Sequence, residues 1–74
     1  MLTLYDFNLM DDNAKADAVW GGNFLGDRKE NGLRVQLYSI HTFYVEVFYD
    51  EAANKILRFR AFRTTDTLPG AYQI

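Results

Sequence analysis

The chain has no cysteine, which removes disulfides and thiolate metal centres and leaves no sign of an oxidising compartment. Stability has to come from packing. Histidine occurs once, at His41, too few for a metal site built on imidazoles. No apolar run approaches the ~18 residues of a membrane span. The opening Met1-Leu2-Thr3-Leu4-Tyr5-Asp6 lacks the basic start and long apolar run of a signal peptide. These absences lead to the expectation of a cytoplasmic product with its own start codon, working without cofactor, metal or membrane.

What is present is the balance of a folded protein: 49% apolar and 24% charged residues, well away from the profile of a disordered chain. At 74 residues there is room for one core, so residues 1–74 are read as a single domain. The net charge is −2, unevenly placed. Asp6, Asp11, Asp12, Asp17 and Asp27 face only Lys15 in the first part, whereas seven bases outnumber Glu30, Glu46, Asp50 and Glu51 over residues 28–63. An acidic front and a basic remainder can attract each other within one molecule or between copies.

The first nine residues fit no single period and are consistent with an edge strand or an extended arm. From Asp11 to Trp20 the signals are helical. Asp11 or Asp12 can cap the free N–H groups, three alanines favour helix, and Gly21 can take a left-handed position after the last turn. Ala14 and Ala18 would lie against the sheet, with Trp20 as the large anchor. Asn23 to Lys29 reads as a strand, and Asn31-Gly32 as a two-residue hairpin turn that puts Phe24 on the face of Leu37.

Leu33 to Phe62 is the organising stretch, three consecutive antiparallel strands by pattern. Leu33, Val35 and Leu37 alternate with Arg34, Gln36 and Tyr38; Phe43, Val45, Val47 and Tyr49 alternate with Tyr44, Glu46 and Phe48. Matching aliphatic with aliphatic requires a three-residue loop at Ile40-His41-Thr42, which pairs Leu37 with Val45 and Val35 with Val47. After the polar turn Asp50 to Asn54, in which Asn54 can take the left-handed conformation, the last strand puts Leu57, Phe59 and Ala61 with that apolar face. Arg58 would then stand opposite Glu46, and Arg60 opposite Tyr44. Near the C-terminus, Thr65 or Asp66 can start one helical turn, and Leu68 and Tyr72 are spaced to cap the open end of the core. The expected fold is α+β: a short N-terminal helix packed on one face of a three- to four-stranded antiparallel meander.

The segment Phe43-Tyr44-Val45-Glu46-Val47-Phe48-Tyr49, with Trp20-Gly21 upstream and Arg58-Phe59-Arg60 downstream, resembles a group of small uncharacterised bacterial proteins. In that group a helix precedes a Phe-Tyr-Val-Glu-Val strand. The resemblance spans residues 14–62 and implies the fold; it carries no activity.

Catalytic patterns are weak. His41 reads as a solvated turn residue, and a minimal enzyme built on it would need a nucleophile and an orienting acid that the sequence does not supply. The acidic pairs Asp11-Asp12 and Asp50-Glu51 read as a cap and a turn. Gly21 to Gly26 lacks the spacing and the Lys-Ser/Thr ending of a phosphate loop. What remains is the outer sheet face, with Tyr38, Tyr44, Glu46, Phe48, Arg58, Arg60 and Phe62 as candidate partner-binding residues. Tyr, Phe and Arg together favour a protein–protein surface, most simply a symmetric dimer or a docked protein partner. The alternatives are cover by the N-terminal arm or C-terminal tail, and single-stranded nucleic-acid binding through the same rings and arginines. The central acid and the overall acidity argue against nucleic acid.

Overall fold

The computed structural model describes residues 1–63. The expected turn at Thr65 or Asp66, and the cap by Leu68 and Tyr72, lie outside the described residues. The architecture is α+β. Helices α1 (Leu4–Leu9) and α2 (Asp12–Trp20) precede strands β1 (Asn23–Glu30), β2 (Leu33–Ile40), β3 (Phe43–Asp50) and β4 (Lys55–Phe62). The strands form one antiparallel sheet in chain order, a meander of four.

Leu4–Leu9 form a helix within the first nine residues, where the pattern suggested a strand or an arm. Thr3 closes a capping box: its hydroxyl accepts from the Asp6 N–H at 3.1 Å, and its own N–H donates to Asp6 Oδ2 at 3.2 Å. Six residues show too little of a 3.6-residue period to be recognised, and only Phe7 of them is buried. Helix α2 starts as expected, Asp11 Oδ1 accepting from the Ala14 N–H at 2.8 Å. Its anchor is Val19, fully buried, while Trp20 is turned outward. Gly21 is right-handed, at φ −84°, and its N–H bonds back to Asp17 O. The constrained glycine is Gly22. A Cβ there would lie 2.6 Å from Ser39 O and 3.0 Å from Ile40 Cγ1, so this spot is where the helix end is pressed onto β2.

The β1–β2 turn is the two-residue Asn31-Gly32 turn, at φ 51° and 81°, with Glu30 opposite Leu33. A bulge between Phe24 and Gly26 then reverses the expected parity: Gly26 pairs with Leu37, Phe24 pairs with Tyr38, and Leu25 packs with Leu37. Asn54 takes the expected left-handed conformation, at φ 55°.

The β2–β3 connection corrects the three-residue loop. His41 and Thr42 alone form the turn, His41 at φ 50°, with Ile40 opposite Phe43. Val35 therefore pairs with Phe48, Leu37 with Glu46 and Tyr38 with Val45. Parity matching assumed one apolar and one polar face, whereas both faces of this sheet bury apolar side chains. Even in β2 and odd in β3, the residues Ile40, Phe43, Val45 and Val47 pack with Phe7 and Val19 of the helices. Ile56, Phe59 and Ala61 join them from β4, while Leu57 is left exposed at a register shift opposite Phe48 and Tyr49. On the opposite face lie Val35, Leu37, Phe48 and Phe62, all buried.

Candidate interaction surface

The face carrying Leu37 also carries a buried acid. Glu46 is 1% exposed, between Leu37 on one side and Arg60 on the other. Its Oε1 accepts from Arg60 Nη1 at 2.8 Å and its Oε2 from Arg28 Nη2 at 3.1 Å, while Arg28 Nη1 donates to Glu30 Oε1 at 2.8 Å. Two guanidiniums and two carboxylates, Glu46 and Glu30, thus balance charge in a place where an unpaired ion would be prohibitive. The Arg28 side chain is 9% exposed. Burial works against its charge, and this is the largest influence. The hydrogen bonds and negative charges of Glu30 and Glu46 together outweigh it and hold the guanidinium above its ordinary value.

Aromatic rings surround this network. The Arg58 guanidinium lies 3.7 Å from the Phe48 ring centroid and that of Arg28 6.0 Å, while Arg60 lies 4.5 Å from Phe62. Phe62 stacks on Tyr44 at 5.7 Å. The sequence set is therefore brought together in six of its seven members: Tyr44, Glu46, Phe48, Arg58, Arg60 and Phe62 share one face. The partners differ from expectation, because Glu46 stands opposite Arg60, Phe48 opposite Arg58 and Tyr44 opposite Phe62. The set also differs in accessibility. Glu46, Phe48 and Phe62 are buried, Tyr44 and Arg60 half-buried, and Arg58 is exposed.

Tyr38, the seventh member, sits on the helix-bearing face, a direct result of the two-residue turn. There it joins two residues that periodicity did not single out as surface. Trp20 meets the Tyr38 ring edge-on at 5.6 Å and 66°, and Phe24 meets it at 5.5 Å and 68°. Trp20 is 52% and Phe24 54% exposed, whereas Tyr38 is half-buried beneath them. The Tyr38 hydroxyl points to Gln36 Oε1 at 3.4 Å, and burial pushes the phenol above its ordinary value. Each ring is placed by a local device. Trp20 ends α2 where Gly22 fixes the helix on β2, and Phe24 is the last residue before the β1 bulge. The sequence did contain one signal: Val19 and Trp20 are adjacent, about 100° apart on a helix, so only one of them can be the anchor.

His41 stands exposed in its turn. Among the described residues no group of three His, Asp or Glu side chains is placed to hold a metal ion, and no helix is long and apolar enough to cross a membrane. No protein family, curated protein or solved structure matches the chain.

Proposed function

We propose that this chain is a small non-enzymatic protein-interaction module that docks a protein partner through the corner formed by Trp20, Phe24 and Tyr38. The observation that carries the reading is the half exposure of two large rings braced against a third. Trp, Tyr and Phe are the residues that dominate contact energies, and rings already held in place lose little freedom on docking. The Glu46 network on the opposite face supports the sheet that presents the corner. The cysteine-free composition accords with a cytoplasmic setting.

The test is a comparison of wild type with Trp20→Ser/Phe24→Ser as baits, both confirmed as folded by circular dichroism. A partner that is retained by the wild type, lost by the variant and rebound as a purified protein supports the reading. Identical retention by both baits contradicts it. Sedimentation at micromolar concentration adds the homotypic case: mass that rises with concentration in the wild type only would make a second copy the partner.

A further inference from the structure

The chemistry of the same corner narrows what it takes. Ring faces carry negative charge density and attract cations. Elsewhere this protein uses that attraction repeatedly: Lys15 lies over Phe7, Arg58 over Phe48, Arg60 over Phe62 and Arg63 over Tyr5. Among the described residues no cation lies over Trp20, Phe24 or Tyr38. The surroundings also favour positive charge. Helix α2 ends at Trp20 with no basic residue in its last turn, so the negative end of its dipole is left uncompensated beside the ring. Exposed Asp17 stands three residues before Trp20, on the same flank of the helix. Across the corner, Asp27 of β1 is balanced by Arg34 at 3.3 Å, so the excess charge is on the α2 side.

Resting on the interaction reading above, we infer that the Trp20–Phe24–Tyr38 corner receives an arginine side chain from a basic segment of the partner protein. A guanidinium is flat enough to stack on one ring while its N–H groups remain available to Asp17 and to the carbonyls that end α2. Two half-exposed rings make an open corner, unlike the enclosed box of rings that holds a quaternary ammonium ion, and an open corner suits a side chain still attached to its own backbone.

Trp20 is the single tryptophan, so its fluorescence reports on the corner directly. The full chain is titrated with a Gly/Ser peptide carrying two arginines, with the same peptide carrying citrulline, and with tetramethylammonium. The expected result is saturable quenching by the arginine peptide, binding about tenfold weaker for citrulline, and several-fold weakening in Asp17→Asn or at raised salt. Phe24→Ala, a change at an exposed side chain, should weaken the arginine peptide while leaving the circular dichroism spectrum unchanged. Equal binding of the citrulline peptide would overturn the cationic specificity yet leave an apolar docking corner, so the interaction reading would survive. No response to the arginine peptide at millimolar concentration would overturn the inference, and the bait comparison would still judge the interaction reading on its own. Tight saturation by tetramethylammonium would assign the corner to a small cation, and loss of self-association in Trp20→Ala would assign it to a second copy; either result overturns the partner-arginine reading.

Discussion

Gly22 and Glu46 are the two residues whose identity the structure constrains most closely, for opposite reasons. At Gly22 the constraint is space. The nearest atom to an added methyl is the backbone oxygen of Ser39, at 2.6 Å, and a backbone atom cannot rotate away as a flexible side chain would. Gly22→Ala should therefore cost about 1–3 kcal/mol, the usual range for overfilling a packed site. The loss is read as a fall in the urea midpoint; the neighbouring Gly21→Ala, whose nearest contact is an ordinary 3.6 Å, should be much milder. At Glu46 the constraint is charge. Only a carboxylate can accept from Arg28 and Arg60 together, and both donors approach within 3.1 Å.

The sheet is the element whose register that acid helps to set. If Glu46 moved to the other face it would enter the cluster of Phe7, Val19 and Ile40 and leave both Arg28 and Arg60 behind. Glu46→Leu should lower stability by about 3 kcal/mol, near the lower end for breaking a buried pair, because Arg28 retains Glu30 and Arg60 is partly solvated. Adding Arg28→Met should restore part of that loss. Chemical denaturation of the single and double variants checks this, and a double variant no better than the single would refute the charge account. The same acid explains where sequence reasoning succeeded and failed. An antiparallel meander of three to four strands, the Asn31-Gly32 turn, the α2 cap and the left-handed Asn54 were legible, because each rests on a local preference. The β2–β3 register was not, because both faces are buried and alternation then carries no orientation. Six of the seven surface candidates share one face, since β3 and β4 keep a common parity up to the shift at Leu57. Tyr38 was misassigned by the turn alone. Trp20 and Phe24 escaped notice because a helix end and a bulge, neither of them periodic, decide where they point.

Across the molecule, the half-buried phenol of Tyr38 shapes how stability responds to alkaline pH. Tyr38 has its phenol raised by desolvation, which favours the neutral form in the fold. Its contribution is fully present below the phenol value of the unfolded chain, about 10, and is lost as pH rises through the higher folded value. Tyr38→Phe should remove that alkaline loss while leaving stability near neutrality little changed, as thermal melts of both proteins between neutral and alkaline pH would reveal. Arg28 stays charged throughout, so it adds no pH dependence at the alkaline end. The two register shifts have a consequence for the behaviour of many copies. One interrupts β1 at Leu25 and the other β4 at Leu57, so each outer strand of the sheet carries an irregularity among charged side chains: Asp27 and Lys29 on one border, Lys55 and Arg58 on the other. A strand arriving from a neighbouring molecule meets a border kinked at Leu25 or Leu57 and lined with charge, which makes extension less favourable. The meander therefore ends with itself, and a crowded solution of this protein is guarded against growing into fibrils by the two kinks that also aim its side chains.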